Sequence, residues 1–197
     1  MHIRTMRLGS YQTNCYLAWG EGSDTCVVVD PGYEPERVLE AALDAGKKIE
    51  AIFLAHGHFD HVGGVKQVAR DAGCRVYICE DDLALNPRLT DGAIYYTNTY
   101  DEADTVTAAG LSFKVLRTPG HTPGSVCLVC ENAIFSGDTL FCGTCGRTDL
   151  PGGSGAQMRA SLARLAAMEG DYRVLPGHGE DSTLDVERRS NPFMQGL

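Results

Sequence analysis

No stretch of about 18 apolar residues occurs anywhere in the 197-residue chain, which excludes a membrane-spanning helix. The opening MHIRTMRLGS has neither an apolar core nor a small-residue cleavage site, so no secretion signal is read there. Basic runs are missing too. With 17 Lys plus Arg against 26 Asp plus Glu, the formal charge is −9, and a phosphate-backbone partner, which needs clustered cations, is not expected. There are no internal repeats, low-complexity segments or long polar linkers. The 22% charged and 43% hydrophobic fractions are those of a globular chain. The length fits one domain, and a chain of this size buries roughly 70% of its unfolded surface, so disulfides are not needed for it to fold.

Eight cysteines are present: Cys15, Cys26, Cys74, Cys79, Cys127, Cys130, Cys142 and Cys145. Without a secretion signal they read as reduced thiols of a cytoplasmic protein. The pairs Cys127/Cys130 and Cys142/Cys145 imitate zinc-ribbon spacing. Ribbon cysteines sit on knuckle turns, however, and Cys127 and Cys130 fall in an apolar run of strand character, where residues three apart face opposite sides. Buried thiols are the expectation.

Apolar runs of strand length alternate with helical patterns. Strands are predicted at 13–19, 25–30, 49–55 and 75–79, with helices at 35–48 and 62–73, each stopped by a glycine. The second half is richer in strands: 104–110, 111–118, 125–130 and 132–137, successive and antiparallel, then a helix at 153–168. Its Met158, Leu162, Leu165 and Met168 share one face and read as core. A strand at 172–177 and a short helix at 183–190 complete the chain. Two such halves suggest two packed sheets with helices outside. Tyr95, Tyr96 and Tyr100 either line a cleft or cover the core, and His2 reads as an exposed terminal residue.

Histidine carries the sharper signal. Of six in the chain, His56, His58 and His61 fall in HGHFDH (56–61), directly after the apolar run 49–55. Imidazole and carboxylate suit a borderline metal such as zinc. His56 and His58, two apart, point the same way in extended backbone, whereas Asp60 and His61 point differently, so one loop can offer ligands to two adjacent ions. His121 sits in RTPGHTPGS (117–125), Asp138 in FSGDTLF (135–141) and His178 in VLPGHGE (174–180), each where an apolar run gives way to a loop. Each alone would be a turn residue. Together they are four junctions that each offer His or Asp.

HGHFDH, followed in order by His121, Asp138 and His178, resembles the HxHxDH pattern of the metallo-β-lactamase superfamily, with the likeness running from TNCYL (13–17) and VVDPG (28–32) to PGHG (176–179). The resemblance implies an α/β (α+β) fold, a four-layer αββα sandwich with the metal site at one edge, in a single domain over 1–197. It implies that His56, His58 and His121 hold one metal, that Asp60, His61 and His178 hold a second, and that Asp138 bridges them. SGDTLFCGTCGRTDLPGG (136–153) and NPF (191–193) look most like the short members of the glyoxalase II group, the hydroxyacylglutathione hydrolases. Two departures stand out. Ala55 occupies a position where many relatives have Thr. Only 19 residues follow His178, where full-length glyoxalase II enzymes carry a helical substrate-binding domain. Arg147 and Asp149 stand where those enzymes place Lys and Tyr.

The function implied is a metal-dependent hydrolase using two divalent ions, zinc first with iron or manganese as alternatives. A metal-bridging hydroxide would attack a small-molecule thioester or other acyl carbonyl. Asp60 would help orient the nucleophile, and Arg147 is a candidate anchor for a substrate carboxylate. The alternatives are a mononuclear iron persulfide dioxygenase, using His56, His121 and Asp138, and another hydrolase of the superfamily such as a lactonase. Neither nucleic acid nor membrane is expected as a partner.

Overall fold

The computed structural model describes residues 1–197. In chain order the first half comprises β1 (His2–Leu8), β2 (Thr13–Trp19), β3 (Thr25–Val29), α1 (Pro35–Asp44), β4 (Lys48–Phe53), α2 (Phe59–Val62), α3 (Val65–Ala72), β5 (Arg75–Cys79), a 3-10 turn (Glu80–Ala84), α4 (Pro87–Thr90) and β6 (Asn98–Tyr100). The second comprises β7 (Thr105–Ala108), β8 (Leu111–Arg117), β9 (Val126–Cys130), β10 (Ala133–Gly137), β11 (Leu140–Phe141), β12 (Thr144–Cys145), α5 (Gly155–Ala166), β13 (Arg173–Pro176), β14 (Ser182–Thr183) and α6 (Leu184–Ser190).

β1 to β6 form one six-stranded sheet in sequence order, antiparallel up to β3 and parallel from β3 onward. The second six-stranded sheet has the order β14-β13-β10-β9-β8-β7. It is antiparallel as expected from β7 to β10, but β13 returns through α5 to lie parallel to β10. β11 and β12 make a separate small hairpin.

The apolar runs are nearly continuous because their sheets are covered on both faces. Along β3, Val27 and Val29 enter the core between the sheets, while Cys26 and Val28 face the helices. Tyr16, Phe53, Phe113 and Phe135 fill the inter-sheet layer, with the Phe53 and Phe113 rings 4.9 Å apart. Each such burial contributes roughly 1.5–3 kcal/mol. Val38, Ala41, Val65 and Val68 seat α1 and α3 on the first sheet. Met158, Leu162 and Leu165 seat α5 on the second, with Met168 packed at the margin, so the predicted apolar face is core. The result is the αββα sandwich.

Cys127 faces the α5 side and Cys130 the inter-sheet core, the opposite orientation expected of neighbours three apart on a strand. All eight cysteines are free thiols. Tyr100 covers the core, its hydroxyl donating to the Leu54 carbonyl, and Tyr95 packs beside the first sheet's outer layer.

Several elements differ from expectation. His2 is exposed but opens β1, an edge strand too polar to show an apolar alternation, and its ring stacks on Trp19. Charged edge residues of this kind discourage pairing with a second chain. The helix expected over 62–73 begins only at Val65, as α3, behind the short α2 at Phe59–Val62; at the junction the Gly64 amide donates to the Gly32 carbonyl instead of continuing the helical ladder. α1 stops at Asp44 rather than 48, since Gly46 turns to a φ of 67°. No helix is long and apolar enough to cross a membrane.

Candidate metal centre

The loops after β4, β8, β10 and β13 meet at one edge of the sandwich. β10 and β13 are parallel neighbours, so Asp138 and His178, each just beyond its strand, arrive side by side. The two sheets are tied at this edge by the Val126 amide, which donates to the Ala55 carbonyl across 2.9 Å. The chain bends at Ala55 and runs without helix through His56 to His58, which is extended (φ −69°, ψ 146°), then enters α2, which carries Asp60 and His61. Non-helical backbone for the first two histidines and helical backbone for the next pair spread four side chains of one loop around two positions.

All seven predicted residues come together. His56, His58 and His121 form one group of three. Asp60, His61 and His178 form another. Asp138 joins His56 and His61 in a third group between them, and within each group the candidate ligand atoms lie within 4.8 Å of one another. His58 Nδ1 is 2.8 Å from His121 Nε2, and His61 Nε2 is 3.4 Å from His178 Nε2. Asp138 reaches both sides, with Oδ2 3.3 Å from His121 Nε2 and Oδ1 3.4 Å from His61 Nε2. Asp60 Oδ2 lies 3.2 Å from His178 Nε2.

Both ring nitrogens of His56, Nε2 of His58 and Oδ1 of Asp138 are buried without a hydrogen-bond partner. An orphaned buried polar atom costs roughly 1–3 kcal/mol. Several of them converging within one cluster of imidazoles and carboxylates fit divalent cations of the borderline class.

The outward nitrogens of three histidines are pinned. His121 Nδ1 donates to the Arg147 carbonyl at 2.8 Å, His178 Nδ1 to the Tyr11 carbonyl at 3.2 Å and His61 Nδ1 to Asp30 at 3.0 Å. Carbonyls and carboxylates only accept here, so the proton sits on Nδ1 and Nε2 faces inward. Three residues that sequence reasoning missed support the site, one on an imidazole, one on a carboxylate and one on the loop backbone. Asp30, buried and at a φ of 50°, also accepts from the Ala55 amide at 2.8 Å, an anchor that uses backbone and so does not need Thr at position 55. Thr13 donates to Asp60 at 3.0 Å. Asp82, fully buried, accepts from the Gly57 amide at 2.7 Å, the Thr122 hydroxyl at 2.8 Å and the Gly124 amide at 2.7 Å. The only advance signal was Asp30-Pro31-Gly32, read as a strand stop.

Burial, then repulsion from the surrounding imidazoles, pushes His56 well below its ordinary value, and burial with His121 brings His58 down to about 4. Burial also works against charge at His61 and His178. There the carboxylates win: Asp138 and Asp30 raise His61 well above 6.5, and Asp60 with Asp138 raises His178. Asp60 and Asp138 are driven below the usual carboxylate range, the imidazoles outweighing burial. Neutral imidazoles and ionised carboxylates are the forms that bind metal.

The cluster floors a cavity of about 600 Å³ whose walls include Tyr11, Phe59, Leu89, Phe141 and Leu150. Tyr95 and Tyr96 are not among its lining residues. Arg147 is, but its guanidinium is held in a two-point pair with Asp149, at 2.7 and 2.8 Å.

The family model for the Metallo-beta-lactamase superfamily matches residues 8–178. Over 98% of both chains, the sequence is 30% identical to hydroxyacylglutathione hydrolase GloC of Haemophilus influenzae. The fold is similar to that of the BLEG-1 B3 metallo-beta-lactamase, with a TM-score of 0.90 and 33% identity, covering 99% of this chain and 100% of that one. It is also similar to TTHA1623 in a di-iron-bound form, with a TM-score of 0.83 and 39% identity over 96% and 99% of the two chains.

Proposed function

The chain belongs to the metallo-beta-lactamase superfamily, and within it we propose a hydrolase of small-molecule thioesters, of the hydroxyacylglutathione hydrolase kind. The observation that carries this is the convergence of seven His and Asp side chains, several with orphaned buried atoms, beneath an apolar-walled cavity. The relative GloC, matched along essentially its whole length, supports the substrate class.

His56, His58 and His121 would hold one divalent ion and Asp60, His61 and His178 a second, with Asp138 between them. Zinc suits these donors, while the di-iron form of TTHA1623 keeps iron in view. Such ions supply Lewis acidity and make water a strong nucleophile near neutral pH. The protein does the rest. Asp30, Tyr11 and Arg147 hold three imidazoles by their outer nitrogens. Thr13 and His178 both meet Asp60 at Oδ2, which sets the carboxylate that would orient the attacking water. Phe59, Phe141 and Leu150 exclude bulk solvent from the acyl carbonyl. A thiolate leaves readily, its acid having a pKa near 8.5, so no side chain need protonate it. Residues 1–197 act in this scheme as one catalytic domain, and the free cysteines suit the cytoplasm.

The test is metal analysis of the purified protein beside turnover of S-lactoylglutathione and of glutathione persulfide. About two ions per chain with thioester cleavage is the expected result. One iron with oxygen consumption would replace it by the dioxygenase reading.

A further inference from the structure

A second cavity, of about 460 Å³, lies beside the metal cavity, and Cys145 and Arg147 line both. Its floor is α5, through the buried Met158 and Leu162, and its rim includes the exposed Arg159 and Phe193. Parts of two sequence motifs that hold no candidate metal ligand, 145–148 and 191–193, meet here. Gly146, Arg147 and Thr148 form one wall. Asn191 of the NPF segment is fully buried, donating to the Thr144 carbonyl at 2.9 Å and to Glu187 at 2.7 Å. It thereby ties the β11–β12 hairpin to α6 and sets Phe193, a large aromatic left 52% exposed, at the cavity.

The electrostatics are one-sided. In a chain of net charge −9, no Asp or Glu lines this cavity, whereas two arginines do. Arg147 is engaged by Asp149 in an exposed two-point pair that offsets its charge. Arg159 makes no ion pair. Its one hydrogen bond goes to the Gly196 carbonyl at 3.1 Å, which leaves most of its planar donors free.

We propose that this second cavity binds an anionic group at the far end of the thiol half of the thioester. Arg159 pairs with the anion, Met158, Leu162 and Phe193 pack against the linker, and the acyl carbonyl stays over the metal cavity. The pairing makes Arg159, rather than Arg147, the residue that selects for charge, and makes the product an anionic thiol. This assignment presupposes thioester hydrolysis at the metal cavity as proposed above.

The test uses S-acyl thiols of increasing length, each ending in a carboxylate or in the matching primary amide. They are hydrolysed by the metal-loaded protein and by its Arg159→Gln and Arg159→Lys variants. The matching non-hydrolysable thioethers are titrated calorimetrically in parallel. At one preferred length the carboxylate should be favoured about tenfold in kcat/KM, through KM, and its thioether should bind about tenfold more tightly. Arg159→Gln should abolish both preferences with metal content unchanged, and Arg159→Lys should restore part of them. Equal turnover of acid and amide, or a preference that survives Arg159→Gln, overturns the assignment while leaving thioester hydrolysis standing. If no thioester is cleaved, hydrolysis is what fails. The calorimetry then decides the cavity alone, and equal binding of acid and amide thioethers overturns it.

Discussion

The Thr122 hydroxyl donates to Asp82 Oδ2 across 2.8 Å. The same carboxylate accepts from the Gly57 amide, so one buried side chain clamps the loop bearing His56 and His58 to the loop bearing His121, across two different sheets. A metal site assembled from separate loops is only as well placed as such clamps make it.

Replacing Asp82 by Asn keeps the shape but removes one acceptor oxygen and the charge on the other. The Gly57, Thr122 and Gly124 donors then compete for a single amide oxygen. Metal affinity should fall about 10–100-fold, with hydrolysis falling in parallel at limiting metal. Competition with a chromophoric chelator measures this, and an affinity equal to wild type would show that the clamp is dispensable.

Asp138→Ala removes the carboxylate that reaches both histidine groups. Activity should be lost and metal content lowered when the variant is purified beside wild type. Full activity would refute the bridging role proposed for Asp138.

Gly177 lies where the chain passes beneath the cluster. A Cβ there would meet Asp138 Oδ1 and come within 2.7 Å of His61 Cε1. Gly177→Ala should therefore displace two of the seven side chains, lowering metal occupancy more than it lowers the melting temperature of the metal-free chain. A fully loaded, fully active Gly177→Ala protein would contradict the packing described.

The metal-free chain should be most stable near pH 6.5. His56 and His58 are lowered on folding, His58 to about 4 from an ordinary 6.5. As pH falls through this window the unfolded chain takes up protons that the folded chain refuses, and stability drops. His61 and His178 are raised, so their contribution is present below 6.5 and is lost as pH rises through their folded values. Bound metal replaces the protons of the second pair, so loading should remove their part of the alkaline fall, leaving the part that raised buried thiols such as Cys15 and Cys127 impose toward about pH 9, and should keep the acid fall. Melting curves from about pH 5 to about pH 9, with and without chelator, read both limbs. A monotonic metal-free profile would overturn the balance.

What was legible in the chain follows a common physical rule. The run 75–79 matched β5 at both ends, and 13–19 matched β2, because a strand covered on both faces is dominated by apolar side chains, the buried Thr13 and Asn14 of β2 being hydrogen-bonded exceptions. β1 was invisible because an exposed edge strand obeys no such constraint. The seven candidate ligands could be named because histidines crowd one loop and because the later His and Asp recur, in the order of a known family, at strand ends. Their holders could not. Thr13, Asp30 and Asp82 look like ordinary turn or strand residues, and each becomes a holder through a partner 47, 31 or 40 positions away. The same holds for charge. Sequence alone offered Arg147 as the anion anchor, and the fold paired it with Asp149 while leaving Arg159 unpaired in a cavity. Residue type and local pattern set the chemistry that the chain can offer. Which donor atoms remain unpartnered is a property of long-range packing, and only the tertiary structure decides it.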